Sequence, residues 1–345
     1  MSDELFILLL LMICSLLLIW GFRVLPRDGW QMLASLPIKP LGNGQWQGLN
    51  LTWYGLLTAN AYLAAVTMLI ILLGAAGVPL AGVMVFSVLM LALCVPASRL
   101  VARIVEGKAH TFTVGGAVFV GIVAAPWLVL LVNRLSDYQL PVLTTLAAVG
   151  IAYAFGEGLG RLACISFGCC YGKPLSACRP LLRKLFSRQH FAFHGATRKI
   201  AYAGNLEGEP VLPIQALTAL LYTGSALAGT YLFLLGKTAV AFVLMILITQ
   251  GWRVLSETQR ADYRGKNRLS AYQVMGVLAV PYALLCVPVF PDLPRSMRLL
   301  SGLESFWQPG TLIFLQSLWL MLFVYTGRST VTGAHLSFHV YRDRI

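Results

Sequence analysis

The chain is poor in charge, and above all in negative charge. Only 11% of its 345 residues are charged, and 13 acidic residues stand against 26 lysines and arginines, while 58% of the residues are hydrophobic. A soluble globular domain carries about 25% charged residues, so this composition excludes an ordinary soluble fold. The chain also lacks low-complexity tracts and repeats of fixed period, which excludes disordered and solenoid classes.

The N-terminus lacks the features of a cleaved signal peptide. The first four residues contain no lysine or arginine, and no small-residue cleavage site follows the apolar run from Leu5 to Trp20. Secretory signals combine a basic start with such a site. We therefore predict that this run is an uncleaved membrane span.

Long apolar runs fill most of the chain and predict an all-α, polytopic membrane protein. A helix of about 20 residues crosses the hydrocarbon core of a bilayer. The predicted spans are 4–22, 52–76, 80–104, 112–133, 141–166, 211–235, 237–253, 270–290 and 310–327. The connection 168–210 is long enough to form a small extramembrane cap.

Basic residues are concentrated in alternate connections. They cluster in 23–39, 99–108, 173–199, 253–268 and 328–344, which the predicted spans place on one side of the membrane. The positive-inside rule would make that side cytoplasmic, but a basic surface also attracts anionic lipid headgroups. Aromatic residues interleave with the basic residues of the cap, which favours contact with headgroups over nucleic-acid binding.

The seven cysteines lack the spacing that is typical of zinc sites. Cys164, Cys169, Cys170 and Cys178 are close in sequence, but they form no C-x-x-C pair and have no histidine at zinc-finger distance. Zinc sites usually combine such elements. The sequence therefore predicts no metal and no cofactor, and it leaves open a disulfide of Cys178 with Cys169 or Cys170.

Two charged groups interrupt the apolar pattern. Arg161 closes a long apolar segment, where an arginine costs about 3 kcal/mol at a helix centre and persists where an anion compensates it. A phospholipid phosphate is the expected partner. Arg253, Glu257 and Arg260 would share one face if 250–270 were helical, so that Glu257 could pair with either arginine. A solvated helix end is the alternative explanation.

Several motifs resemble, in the same order, the prolipoprotein diacylglyceryl transferase family over about residues 50–290. The Gly-Arg run looks like that of one branch of the family, in which this motif ends in Gly-Cys-Cys-Tyr-Gly-x-Pro. The motifs that carry the resemblance are Trp53-Tyr54-Gly55-Leu56, Gly115-Gly116, Gly160-Arg161 with Cys164, Pro213-x-Gln215, Arg253 with Glu257 and Arg260, and Leu269-Ser270-x-x-Gln273.

The resemblance implies a seven-helix core and a reaction. The core would be 51–290, with 168–210 as its basic cap, and the segments 1–50 and 291–345 would each add one span. Enzymes of this family move the diacylglyceryl group of phosphatidylglycerol to a lipobox cysteine thiol and release glycerol phosphate. The resemblance also implies a multi-pass protein of the bacterial cytoplasmic membrane, with its site on the external face.

The resemblance further implies roles for single residues. Arg161 and Arg253 would bind the phosphate and stabilise charge on the leaving group, with Glu257 and Arg260 in support. The remaining residues expected at the lipid site are Tyr54, Gly115, Gly116, Gly160 and Cys164.

The sequence departs from the family at the proposed base. The histidine that precedes Gly-Gly is Val114 here, and His110 is a candidate replacement one helical turn upstream. A thiol acceptor must be deprotonated, so this departure leaves several functions open. The acceptor could be a sugar or polyol hydroxyl or another lipid headgroup; the protein could bind or move anionic phospholipids without catalysis; or it could be an assembly partner in an envelope complex.

Overall fold

The computed structural model describes residues 2–27, 31–107, 113–262, 269–291 and 295–345, and within these ranges the chain is mostly helical. The helices are α1 (Asp3–Val24), α2 (Trp53–Ala75), α3 (Leu80–Glu106), α4 (Val114–Leu135), α5 (Val142–Phe167), α6 (Pro180–Leu185), α7 (Lys199–Gly204), α8 (Ile214–Leu234), α9 (Thr238–Glu257), α10 (Ala271–Val289), α11 (Leu299–Phe306) and α12 (Pro309–Gly327). The strands are β1 (Met32–Gly42), β2 (Gln45–Thr52) and β3 (Arg328–Ser337).

Nine of the described helices are long and apolar enough to cross a membrane, namely α1 to α5, α8 to α10 and α12. This confirms the nine predicted spans and the class of polytopic membrane protein. Helix α5 is the central one, because 61% of its most apolar stretch is buried, against 22% in α1 and in α3. It packs against α2, α8 and α9.

A three-stranded antiparallel sheet, in the order β1-β2-β3, lies outside the predicted spans. This sheet was not predicted from the sequence. Its signal was the pair Asn43-Gly44, whose positive φ angles of 52° and 73° match the two-residue turn that the twist of a hairpin requires. Pro37 and Pro40 hid the strand, but β1 is an edge strand, where a missing N–H is tolerated.

The sheet shows that several helix ends share one side of the protein. Strand β1 follows α1, β2 leads into α2 and β3 follows α12, and the three strands are hydrogen-bonded to one another. Because successive spans run in opposite directions, the end of α5 and the cap lie on this side as well. We call it the basic face, since it holds the basic connections.

The C-terminal segment closes against the start of α2. Thr52 Oγ1 caps α2 by accepting from Gly55 N at 3.4 Å, and it donates to Gly327 O at 3.1 Å. A Cβ atom added to Gly55 would collide with the backbone of Gly327. The segment 291–345 is therefore packed on the predicted core rather than appended to it.

We expect Gly55→Ala to destabilise the protein, because a methyl group there forces α2 and the end of α12 apart. Overpacking of this kind costs about 1–3 kcal/mol, which should lower the melting temperature in detergent by several degrees. Gly224→Ala is the matched control, since no atom lies within 4 Å of the added Cβ. Equal melting temperatures for the two variants would contradict the close approach.

The cap packs on the helix ends and shares a buried apolar cluster with them. Arg198 is 1% exposed, and its guanidinium donates to Ile165 O at 3.1 Å and to Leu25 O at 2.8 Å. These carbonyls belong to the last turn of α5 and the end of α1, where helix carbonyls lack partners. Phe191 and Phe193 are buried beneath it. These residues hold the cap to the helices, so for them the predicted contact with headgroups is wrong.

Candidate functional site

A cavity of about 1490 Å³ lies among α2, α3, α4, α5, α9, α10 and α12. Its walls are mostly apolar, and its charged side chains all lie in the basic-face halves of the helices or in the connections beyond them. The charged residues described along it are the cations Arg99, Arg103, Arg161, Lys199, Arg253, Arg260 and Arg328 and the carboxylates Glu157, Glu257 and Asp262. The cavity therefore suits an amphiphile with an anionic head.

Arg161 and Arg253 share one carboxylate at the centre of this cavity. Arg161 on α5 is ion-paired with Glu157 one turn earlier, and Arg253 Nη2 on α9 lies 3.9 Å from the same Glu157 oxygen. Arg253 Nη2 also donates to the Tyr153 hydroxyl at 2.7 Å. All three charged residues are at most 9% exposed. Two guanidinium groups and one carboxylate leave an excess positive charge in a buried place.

The pair retains unused hydrogen-bonding capacity. The Nε atoms of Arg161 and Arg253 are buried and donate to no described atom of the protein. Buried donors are nearly always paired, and unpaired buried charge is strongly unfavourable. The arrangement can accept one further anion with oxygen acceptors.

Arg161 has an anionic partner within the protein. The lipid phosphate expected beside it stays a prediction, and the structure adds Glu157. This residue was missed, although a glutamate four positions before an arginine on one helix is a recognisable pair. Arg161 lies on α5 and Arg253 lies on α9, and both contact Glu157. This carboxylate therefore connects the two helices, whereas Glu257 pairs with Arg260.

Arg260 forms a separate group with two carboxylates. Helix α9 ends at Glu257, so Arg260 lies beyond the helix and not on the predicted shared face. Its guanidinium donates to both oxygens of Asp262 at 2.8 Å and to Glu257 Oε1 at 3.3 Å. Burial raises the pKa of Asp262 to about 6, although Arg260 opposes this. Arg260 is thus neutralised within the protein, unlike the pair formed by Arg161 and Arg253.

The two tandem glycines have different surroundings. A Cβ atom on Gly115 would lie 2.6 Å from the Tyr272 ring and 3.0 Å from Arg253 Nη1, so the absent side chain leaves room for the arginine. Gly116 does not line the cavity. A Cβ atom there would collide with Val101 of α3, so Gly116 serves helix packing and not the predicted lipid site.

The other predicted residues lie along the cavity where the structure describes them. Tyr54 and Gly160 line it, and the Tyr54 ring packs against Phe167 with centroids 5.5 Å apart. Val114 begins α4 and also faces the cavity. His110 lies outside the described residues.

Two further family motifs have structural roles. In the Leu-Ser-x-x-Gln motif, Ser270 and Gln273 form a reciprocal capping box that begins α10. In the Pro-x-Gln motif, Gln215 is fully buried, and its Nε2 donates to Cys169 O at 2.9 Å. These polar residues therefore position the backbone around the cavity.

Three cysteines converge at the basic-face end of the cavity. The Sγ atoms of Cys164, Cys169 and Cys170 lie within 4.8 Å of one another. The chain turns back after α5 through Gly168, at φ 65°, and Cys170, at φ 57°. The search for C-x-x-C pairs did not anticipate this cluster. None of the seven cysteines, all of which are described, forms a disulfide, and the Cys178 thiol donates instead to Pro174 O.

The thiols of the cluster titrate together. Hydrogen bonds from the Cys164 and Cys169 thiols, and then the charges of Arg260 and Arg161, lower the pKa of Cys170 well below its usual value. Hydrogen bonding within the same cluster raises the pKa of Cys169. These shifts favour the thiolate form of Cys170 over that of Cys169.

Fold and site together define a multi-pass membrane protein with a buried pair of arginines that share one carboxylate in a mostly apolar cavity. The sequence model of the prolipoprotein diacylglyceryl transferase family matches residues 45–289. The chain belongs to this family, which confirms the resemblance found in its motifs. The matched region contains seven of the nine described spans, and α1 and α12 lie outside it.

Family membership supports a transferase of the diacylglyceryl transferase type that acts in lipoprotein modification. No curated protein sequence shows a significant match to the chain.

Proposed function

We propose that the protein transfers the diacylglyceryl group of phosphatidylglycerol to an acceptor thiol and releases glycerol phosphate. The observation that carries this proposal is the pair of buried arginines that share Glu157 inside an apolar cavity. Their excess positive charge and free Nε donors suit one phosphate group. Arg161 and Arg253 bind that phosphate, and the apolar walls receive the acyl chains.

The chemistry needs cations on the leaving group. When the glyceryl C–O bond breaks, its electron pair stays on the phosphate oxygen, and a phosphodiester with one negative charge becomes a monoester with two. Fixed guanidinium groups in a water-poor site stabilise this growing charge far more than water does. Glu157 holds both guanidinium groups in position and limits the binding of the ground-state phosphodiester.

We propose that the basic face is the external face of the bacterial cytoplasmic membrane. The positive-inside rule would place it in the cytoplasm, but that rule counts loop charges. Arg161, Arg253 and Arg260 are bound by carboxylates inside the protein, and Arg198 caps helix carbonyls. Ion pairs, carbonyl capping and the proposed substrate binding account for these four charges, so they give no information on the orientation of the protein in the membrane.

A second candidate is a lipid-binding or lipid-transport protein without catalysis. Val114 favours it, because a valine faces the cavity where the resemblance places a histidine base. Such a protein would keep the arginine pair and the apolar cavity but form no product. Product formation therefore separates the two candidates.

The test is release of glycerol phosphate from phosphatidylglycerol liposomes that contain the purified full-length protein. A lipobox peptide and a crude envelope extract are supplied in parallel as acceptors. We expect release that depends on Arg161, and the acceptor that supports it names the substrate class. Arg134→Ala is the matched control, because this exposed arginine lies at the opposite end of α4. Lipid binding without release would favour the second candidate.

We expect Gly115→Ala to lower the release rate without unfolding the protein. The added methyl group would press on the Tyr272 ring and on Arg253 Nη1, and misplacement of a binding group by about 1 Å can reduce rates by about 100-fold. Gly251→Ala in α9 is the control, because no atom lies within 4 Å of its added Cβ. An unchanged rate in Gly115→Ala would show that Arg253 needs no such clearance.

A further inference from the structure

Three sulfur atoms at the basic-face end of the cavity have no role in the proposed binding of phosphate by Arg161 and Arg253. The Sγ atoms of Cys164, Cys169 and Cys170 lie within 4.8 Å of one another, and all three residues line the cavity. Zinc binds thiolates at about 2.3 Å in tetrahedral geometry, which sets sulfur atoms about 3.8 Å apart. The cysteines therefore need to close by at most about 1 Å to hold a zinc ion.

The backbone of this cluster is held by specific contacts. Cys169 N donates to Cys164 O at 3.0 Å, and the buried Gln215 side chain donates to Cys169 O at 2.9 Å. Cys170 has φ 57°, which is unfavourable for a residue other than glycine. Strain of this kind persists where the surrounding structure imposes it, and it is frequent at functional sites.

The surrounding charges suit a metal–thiolate complex. A zinc ion with three thiolates carries one net negative charge. Arg161 Nη1 lies 3.9 Å from Cys164 Sγ, and Lys199 lines the same cavity. These cations compensate the complex, and they also favour the thiolate forms that metal binding requires.

The number of ligands distinguishes a catalytic site from a structural one. In the part of the chain that the structure describes, the cluster has three potential ligands. Structural zinc sites use four protein ligands, whereas catalytic sites use three and keep one position for water or substrate. Because all three cysteines line the cavity, the remaining position would open into it.

The proposed transfer needs a means of deprotonating a thiol. None of the described residues that line the cavity is a histidine. Its carboxylates, Glu157, Glu257 and Asp262, are paired with arginines. A thiol that coordinates a metal ion loses its proton outright, so a bound zinc would make a side-chain base unnecessary.

We propose that Cys164, Cys169 and Cys170 hold a zinc ion, and that its open position binds the acceptor thiol as a thiolate. This inference rests on the proposed transferase function. The thiol proton passes to water on coordination. The sulfur then forms a C–S bond with the glyceryl carbon, the C–O bond to phosphate breaks, and its electron pair leaves on the phosphate oxygen bound by Arg161 and Arg253.

Metal binding is measured first, without any reaction. Full-length protein, purified under reducing conditions and stripped with a chelator, is titrated with Co²⁺ alone, and zinc before stripping is measured by mass spectrometry. We expect about one metal ion per chain and thiolate-to-cobalt charge-transfer absorption. Cys164→Ser, Cys169→Ser and Cys170→Ser should each weaken binding by at least about tenfold.

Cys178→Ser is the matched control, because this cap thiol contacts Pro174 O and lies outside the cluster. It should bind metal as the unaltered protein does. Failure of the unaltered protein to bind zinc or cobalt overturns the proposal, and so does a disulfide within the cluster of protein that is purified separately without reductant.

Thiol activation is measured by the pH dependence of glycerol phosphate release with a lipobox peptide. With zinc bound, the rate should vary little between about pH 6 and pH 8.5, whereas a free thiol is only half ionised at its pKa of about 8.5, so that its rate should rise steeply over this range. Removal of zinc should lower the rate at pH 7 by about tenfold or more, and added zinc should restore it.

The outcomes separate the two proposals. If metal removal leaves release unchanged, zinc has a structural role at most and thiol activation is wrong, while the arginine site stands. If metal binds but no sample shows Arg161-dependent release, the transferase function is wrong, and thiol activation fails with it.

Discussion

Arg161→Ala should reduce glycerol phosphate release by at least about 100-fold, because loss of one fixed cation at a developing oxyanion has an effect of that order. The substitution removes one of the two guanidinium groups that share Glu157. The carboxylate then neutralises Arg253, and the excess positive charge that attracts phosphate disappears. Release from phosphatidylglycerol liposomes is the measurement.

Stability must be measured in the same variant, since breaking a buried ion pair can cost about 3–5 kcal/mol. Arg161→Lys retains the charge and serves as a second variant. We expect it to remain folded but to stay far below normal activity, because an ammonium group cannot donate in the bidentate geometry of a guanidinium. Full activity in both Arg161→Lys and Arg161→Ala would show that Arg161 does not bind the phosphate.

Arg253→Ala should abolish release as strongly as the loss of Arg161, whereas Tyr153→Phe should reduce it only about tenfold. Arg253 would contact the phosphate itself. Tyr153 accepts one hydrogen bond from Arg253 at 2.7 Å, and at the lower end of the range for bonds to charged groups this is worth about 1.5 kcal/mol, or about tenfold in rate. Steady-state kinetics with phosphatidylglycerol as the varied substrate compares the two variants.

The split between kcat and KM distinguishes direct contact from positioning. Loss of a contact made mainly in the transition state lowers kcat, which we expect for Arg253→Ala. Tyr153→Phe should retain a measurable kcat with a raised KM, because the arginine is still present but less firmly held. Equal and complete losses in both variants would show that the Tyr153 hydroxyl takes part in the reaction itself and does not act only by positioning Arg253.

Much of the fold was predictable because membrane spans are a local property of the chain. All nine predicted spans agree with the described helices to within four residues. The three strands were missed for a local reason as well, because Pro37 and Pro40 masked β1 and the Asn43-Gly44 turn was overlooked. The pairing of β2 with β3, more than 270 residues later, has no local signal.

The residue types of the site could be predicted from the sequence, but the contacts between their side chains could not. The motifs singled out Arg161, Arg253 and Gly115, and these lie within one cavity. Glu157 was missed because its importance depends on Arg253 of α9, a residue 96 positions away that contacts the same oxygen. Helix geometry left Glu257 a choice between Arg253 and Arg260, and the fold pairs it with Arg260, which lies beyond the end of α9.

The sequence by itself determined the membrane-spanning class, the positions of the helices and the family, because each depends on residues adjacent in the chain. Only the tertiary structure decided which charges neutralise one another and which remain available. It turned residues 168–170 back on α5, so that three cysteines that match no zinc-site spacing have their sulfur atoms within 4.8 Å of one another. Electrostatic and coordination interactions act over a few ångströms in space, and the contact between Glu157 and Arg253 shows that position in the chain does not predict such proximity.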